Sequence, residues 1–578
     1  MKKNVIFGLS LLALVACNKE DNQAIQNAAG EQNVNSMQEL KVADNFNWSA
    51  SFQSKLEVTF TNPHNLSVEE ELIYILDNND NTLAKTRVRN GLASFDVYLP
   101  SNGQYSLYLP FTCHQQTLSK QAKQNFDLSQ KMTGKRGTQF NKTNSSSCTV
   151  CETPMTNNLA ELPVLPLGRQ TIISQNSVPG WQTTATDGKI EIWSTGFGGV
   201  TAQEGNQFFE INANRPDALY QELCLEPGST ISWSVWHRGR AGVDVAQVKI
   251  GGSLATATVE ATMTSGNSAW NNYTGTYAIP ANQTTTLFIF EAVSATGGGS
   301  VGNFLDNFRI SCDQDGDGVA DINDDYPTDP SRAYRSFFPS AGKQIVAFED
   351  LWPATGDYDF NDLVLSNQVE ISHNANNELV DAKFAISIDA IGAGLANGIG
   401  LMLRDESKAV LANGSITSVS GNVSLDPANN SGLIVSNDVF ASISSYYQNN
   451  GSGPSRTPDT LKFTVNFGAN AGSELLPELY LFRTNDRALE VHRSGFSPSA
   501  AFDAARANTI DDNGDFKTAN GLPWGIEIIT ETSYDHALEK IDMVQAYPQF
   551  TSWAASGGSQ NTSWFLNPDA EKVFDANP

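Results

Sequence analysis

Leu56-Glu57-Val58-Thr59-Phe60, Leu72-Ile73-Tyr74-Ile75-Leu76, Ala93-Ser94-Phe95-Asp96-Val97-Tyr98 and Tyr105-Ser106-Leu107-Tyr108 are short runs rich in β-branched and aromatic residues. Apolar and polar side chains alternate along most of them, the period that sets one strand face on a core and the other in water. Asn78-Asn79-Asp80-Asn81 and Ser101-Asn102-Gly103 punctuate them with residues that suit tight turns. Residues 41–112 therefore read as a small β-sandwich.

The same signal continues outward. Strands are expected near 189–193, 207–212, 230–236, 245–250, 284–290 and 304–310, which makes 164–312 a jelly-roll. Residues 113–163, rich in Lys, Ser, Asn, Thr and Gln, read as a linker. Strands near 383–388, 398–403, 461–467 and 479–482 make 330–575 mainly β. Ile541, Val544, Tyr547, Phe550 and Trp553 recur every three residues, so 538–556 is expected to be helical. The fold class is mainly β: a multi-domain β-sandwich and jelly-roll array whose C-terminal domain carries a few helices. The first sandwich resembles immunoglobulin-like or fibronectin-like units. The jelly-roll, with Gly180-Trp181 early, Glu204-Gly205-Asn206-Gln207-Phe208-Phe209-Glu210 mid-way and Asn303-Phe304-Leu305-Asp306-Asn307 late, resembles galactose-binding-like modules.

Met1, Lys2 and Lys3 precede an apolar run from Val5 to Ala16 that closes in Leu14-Val15-Ala16-Cys17. The run is too short to span a bilayer and ends as a lipobox does, so 1–16 reads as a lipoprotein signal peptide and Cys17 as the acylated N-terminus. Polar residues 17–40 follow as a tether. Asn18-Lys19-Glu20-Asp21 resembles the surface-export signal of Bacteroidetes lipoproteins, which implies outer-membrane anchoring with display at the cell surface.

The chain has 578 residues and a formal net charge of −27. That charge argues against nucleic acid, which needs a basic face, and suits a cation-binding extracellular protein. Of six cysteines, Cys224 sits in the strand-like run Leu219 to Leu225 and Cys312 ends Phe304 to Cys312, and the two are the expected disulfide. Cys148 and Cys151, with Cys113 upstream, lack a second ligand pair for zinc, and a local disulfide is the better reading.

Asp313-Gln314-Asp315-Gly316-Asp317-Gly318-Val319-Ala320-Asp321-Ile322-Asn323-Asp324 carries the strongest chemical signal. Counting from Asp313, carboxylates fall at positions one, three, five, nine and twelve, Gly318 at six permits a sharp turn, and Val319 offers its carbonyl at seven. Asp313, Asp315, Asp317, Val319, Asp321 and Asp324 are thus calcium ligands by spacing, and 313–329 is a calcium-binding loop. Its flanks are not helical, and it resembles a thrombospondin type 3 calcium repeat. A second cluster, Glu349-Asp350 with Gly356-Asp357-Tyr358-Asp359-Phe360-Asn361-Asp362, offers Asp350, Asp357, Asp359, Asn361 and Asp362 as a second calcium set, with a capped turn as the alternative.

Phe348-Glu349-Asp350-Leu351-Trp352-Pro353, Gly356 to Val364, Lys517 to Trp524, Lys540 to Tyr547 and Trp553 to Gly558 together resemble the LruC domain over about 335–570. The resemblance implies an outer-membrane lipoprotein and assigns no activity.

Catalytic groups are sparse. His64, His114, His237, His373, His492 and His536 show no H-E-x-x-H spacing, and Gly298-Gly299-Ser300-Val301-Gly302 lacks the strand-turn-helix setting of a nucleophile elbow. No catalytic residue is assigned. In the jelly-roll, Trp193, Trp236, His237, Arg238 and Arg240 are candidate glycan contacts, although most tryptophans of such a sandwich belong in its core. The expectation is a surface-exposed, calcium-binding lipoprotein acting in binding or adhesion towards an extracellular ligand, a glycan or a host or matrix protein. The alternative is a carbohydrate-capturing lipoprotein of a nutrient-uptake system.

Overall fold

The computed structural model describes residues 34–576 except 44–45, 62–67, 69–71, 110–113, 120, 129–154, 320, 322–323 and 428. The signal segment, Cys17, Cys113, Cys148 and Cys151 lie outside the described residues. The described chain is mainly β, with several sheets and a few short helices.

The jelly-roll is two antiparallel sheets. One has the order Asn271–Ala278, Thr230–Arg238, Phe304–Cys312, Gln207–Glu210, Lys189–Ser194 and Gln170–Ser174; the other runs Thr258–Ser265, Asp244–Gly251, Thr286–Ser294, Ala218–Leu223 and Gln182–Thr183. Trp181, Phe209, Trp233, Phe288, Phe290 and Phe308 fill the space between them. Cys224 and Cys312 are both disulfide-bonded.

The first sandwich is larger than its alternating runs suggested. His114–Thr117 and Lys123–Asp127 complete its sheets, and Phe126 and Leu128 are buried in its core with Leu56, Ile73 and Phe95. At the far end of the expected linker, Met155 and Ala160 join the jelly-roll core, and the Trp181 indole donates to Asn157 O at 3.1 Å. Polar composition hid these segments because single apolar residues suffice once a neighbouring sheet supplies the rest of the core.

Strand Ser49–Thr61 ties the first sandwich to the C-terminal domain. It pairs antiparallel with Leu92–Pro100, while Ser49 and Ala50 pair in parallel with Glu527 and Ile528 of Gly525–Thr530. The sheet so formed continues through Lys343–Phe348, Leu363–His373, Leu379–Ala390 and Asp459–Phe467 to Ile416–Gly421. One of its faces shares a core with a second sheet through Val369, Phe384, Ile399, Leu401, Leu479 and Leu481. Its other face, through Ile345, Val364, Ile526 and Ile528, is covered by Met37, Leu40, Phe46 and Trp48 together with the C-terminal Tyr547, Phe550, Trp553 and Trp564.

Met37 and Leu40 fall in the stretch read as a tether, yet both are fully buried. They cannot form a core of their own and instead dock on one already made. The expected helix over 538–556 is two short ones, Met543–Ala546 and Phe550–Ala555. Pro548 has no amide hydrogen to donate and forces the preceding Tyr547 out of the helical region, where it sits at φ −130° and ψ 95°.

Trp48 packs against Phe46, Phe550 and Trp553 with ring centroids 4.7, 5.9 and 6.0 Å away, and its indole donates to Gly521 O at 3.0 Å. Trp48→Ala is expected to cost about 3–5 kcal/mol, read from the urea midpoint of the full chain followed by tryptophan fluorescence. A loss below about 1 kcal/mol would show that the N-terminal segment is not holding the C-terminal domain.

Candidate functional site

The acidic loop leaves strand Phe304–Cys312 and turns at once on Gly316 and Gly318, whose φ values of 80° and 95° suit glycine. Backbone amides organise its carboxylates. Asp313 accepts from Gly316 N at 2.7 Å and Gly318 N at 3.0 Å, Asp315 from Asp317 N at 3.1 Å, and Asp317 from Val319 N at 2.8 Å. Asp321 accepts from Gln314 N and Asp324 from Tyr326 N, at 2.8 and 2.6 Å.

These bonds use one oxygen each of Asp315, Asp317 and Asp324. The second oxygens, Oδ2 in all three, are buried and have no hydrogen-bond partner. Asp313, Asp315 and Asp317 each present an oxygen within 4.8 Å of the others. Burial pushes the carboxyls of Asp317 and Asp321 upward and that of Asp324 to about 6, and neighbouring carboxylates add to the effect. Val319 is buried beside them. Buried, unpaired, mutually repelling carboxylate oxygens are an arrangement that a hard divalent cation would satisfy. Beyond the loop, Asp325 pairs with Lys85 of the first sandwich at 2.8 Å and accepts from Arg335 N of the C-terminal domain at 2.8 Å.

In the second cluster the structure separates residues that sequence had grouped. Asp350 is committed to Asn397 Nδ2 at 2.6 Å and Arg483 Nη1 at 3.4 Å, and Asp362 accepts from Asp350 N at 2.9 Å. Asn361 donates to Ala537 O at 3.1 Å while its Oδ1 stays unpartnered. The oxygens that converge within 4.8 Å belong to Asp357, Asp359 and Glu349, the last not among the expected ligands. Glu349 stands in sequence next to Asp350, just past strand Lys343–Phe348; the Phe360 amide holds Glu349 towards the loop while Asn397 and Arg483 hold Asp350 away from it. A third trio, Asp96, Glu406 and Glu474, surrounds Lys55, which lies 3.7 Å from both Asp96 and Glu406.

The candidate glycan contacts divide. Trp193 is buried, with its indole donating to Glu191 at 2.8 Å and the Arg240 guanidinium 4.7 Å above its ring. Arg240 binds both oxygens of Glu210, at 2.9 and 3.1 Å. His237 is fully buried and shares hydrogen bonds with Ser265 and Asn303, each at 3.0 Å; burial drives its pKa down to about 4. Three of the five thus serve the interior, because their side chains hydrogen-bond polar groups that the sheet buries. Trp236 and Arg238 remain half-buried on the opposite strand face from Trp233.

A further polar centre had no motif. His492 is fully buried between Glu478 at 2.6 Å and Glu490 at 2.9 Å, stacked 4.4 Å from the Tyr480 ring. Arg404, also buried, pairs with Glu478 at 2.6 Å. Burial would raise both carboxyls, but the His492 charge and hydrogen bonds outweigh it, holding Glu478 low and Glu490 at about 2. Burial would likewise lower His492, and the two glutamates reverse that. The group ties Arg404, Glu478, Glu490 and His492 together as a buried cross-link.

Residues 377–565 match the model of a family described as a domain of unknown function, DUF4842. The match lies within the stretch that resembles the LruC domain. No curated protein matches the chain. Among solved structures, a candidate lipoprotein from Bacteroides ovatus is 16% identical over 58% of this chain and 100% of that chain, with TM-score 0.33. The C-terminal family 22 carbohydrate-binding module of Clostridium thermocellum Xyn10B is 16% identical over 28% of this chain and 96% of that one, at TM-score 0.20. TmCBM61, solved with β-1,4-galactotriose, is 17% identical over 23% and 88%, at 0.17. At such TM-scores these likenesses fix neither ligand nor activity.

The His492 network yields a pH signature. A raised histidine stabilises the fold fully below its ordinary value of 6.5 and loses that contribution as pH climbs through the folded value. Depressed glutamates stabilise above their ordinary 4.5 and lose it as pH falls towards about 2. His492→Gln should therefore destabilise by about 3–5 kcal/mol, with the largest deficit between about pH 4.5 and 6.5 and smaller ones on either side. Guanidinium unfolding across that range checks it; a deficit independent of pH would refute the charge assignment.

Proposed function

We propose that this chain is a calcium-binding lipoprotein of the cell surface, anchored in the outer membrane through acylated Cys17, that acts in binding or adhesion and performs no catalysis. The observation that supports it is the set of three buried, unpartnered oxygens on Asp315, Asp317 and Asp324, grouped by a loop with calcium-ligand spacing. Bound calcium would neutralise the repulsion among these carboxylates and stiffen the junction where Lys85, the jelly-roll and the C-terminal domain meet. Rigid spacing of β-domains is what an adhesive stalk requires. The ligand on this reading is extracellular, a glycan or a host or matrix protein, and the charge of −27 disfavours nucleic acid.

The alternative, capture of carbohydrate for nutrient uptake, is favoured by one feature. Trp236 and Arg238 lie two residues apart on one strand face, half-buried, and Arg238 Nε has no hydrogen-bond partner. An aromatic face beside a cationic donor suits a sugar ring. Affinity electrophoresis of the full chain through soluble polysaccharides, lost in Trp236→Ala, would favour it; unchanged migration in every polysaccharide would leave adhesion.

Calorimetric titration of calcium into metal-stripped protein tests the central claim beside Asp315→Asn/Asp317→Asn. At a free concentration 100 times Kd the parent should gain about 2.7 kcal/mol of stability, and the variant should lose the loop's share of binding and stabilisation. Identical calcium stoichiometry and melting temperature in both proteins would remove the loop from the reading.

A further inference from the structure

The second acidic cluster is built differently from an ordinary turn. Glu349 is fully buried at the end of strand Lys343–Phe348. Its Oε1 accepts from Phe360 N at 2.8 Å, while Oε2 is inaccessible to solvent and has no hydrogen-bond partner. That orphan oxygen is aimed at Gly356, where a Cβ would lie only 1.8 Å from it. Gly356 does not have a left-handed φ, so glycine is needed there for space beside Glu349 and not for backbone freedom.

The next residue, Asp357, and Asp359 beyond it bring their oxygens within 4.8 Å of one another and of Glu349. Asp359 is buried and fixed by Asn361 N at 3.1 Å and Lys540 N at 2.7 Å. The intervening Tyr358 and Phe360 bury their rings in the core under the N-terminal segment, which holds the loop in place. Among the described residues no lysine or arginine pairs with Glu349, Asp357 or Asp359, unlike Asp350, which has Arg483. Oxygens of one calcium shell, each about 2.3–2.6 Å from the ion, stand at most about 5 Å apart, and this trio meets that limit.

We propose that Glu349, Asp357 and Asp359 hold a hard divalent cation, calcium in the first instance, in a second site inside the C-terminal domain. An all-oxygen set excludes the softer metals that seek thiolate or imidazole. The exposed Asp357 is the side from which the ion enters, and Glu349 Oε2 is the deep ligand that desolvates it. The ion fastens the loop between Lys343–Phe348 and Leu363–His373 against Lys540 and the C-terminal helices. This site does not depend on the loop at 313–324.

Calcium titration of the full chain in the Asp315→Asn/Asp317→Asn background isolates it. The background protein should bind one calcium equivalent, and adding Glu349→Gln, which keeps side-chain size and the Phe360 amide bond, should abolish that binding with an unchanged circular dichroism spectrum. Gly356→Ala, which fills the space beside Oε2, should weaken it at least tenfold. If Glu349→Gln fails to fold, Asp357→Asn at the exposed position decides: at least tenfold loss of affinity is expected, and unchanged affinity overturns the site. A background protein that binds neither calcium nor magnesium also overturns it, as does full retention of binding in folded Glu349→Gln. Failure of the first loop looks different, since parent and background would then share one stoichiometry.

Discussion

The union of the N-terminal sandwich with the C-terminal domain turns on one short piece of parallel pairing, Ser49 and Ala50 against Glu527 and Ile528. Few hydrogen bonds are involved, but they align strand Ser49–Thr61 so that Trp48 and Phe46 enter the aromatic cluster of Phe550, Trp553 and Trp564. Ser49 adds a hydroxyl bond to Glu527 at 2.6 Å, and Met37 N donates to Asp542 at 2.8 Å, the residue that caps helix Met543–Ala546. Both ends of the described chain therefore close on one sheet face.

Burial of carboxylates is the second theme. Fully buried Asp306 is met by backbone amides at both oxygens, and two other arrangements recur. Glu478, Glu490, Asp350 and Glu210 meet Arg404, His492, Arg483 and Arg240, so desolvation is offset by paired charge and directed hydrogen bonds. Asp315, Asp317, Asp324 and Glu349 have one oxygen held by backbone amides and the other left without any partner. Amide bonds alone position a carboxylate without neutralising it; Asp512 shares that pattern, and what sets the two loops apart is that three carboxylates converge there within 4.8 Å.

The jelly-roll shows why aromatic and cationic residues are weak signals on their own. Trp193, Arg240, Glu191 and Glu210 form one internal group in which the indole and guanidinium satisfy two buried carboxylates. The same residue types on a surface would serve a sugar. Only the environment separates the two uses, and Trp236, half-buried one strand position before His237, shows how small the difference in sequence is.

Period-two alternation and turn residues were enough to determine from sequence that the chain is mainly β, because the side-chain period of a strand is a local property. The acidic cluster Asp313, Asp315, Asp317, Asp321 and Asp324 was legible in the same way, since these carboxylates lie within twelve consecutive residues. Tertiary structure alone decided that Met37, Leu40 and Trp48 complete a core some 500 residues away, that Glu349 and not Asp350 faces Asp357 and Asp359, and that His492 sits between two glutamates. Each of these residues lies outside a strand and is placed by contacts with other segments of the chain. Local spacing carries no record of that, because the deciding neighbours are brought together by pairing between distant segments.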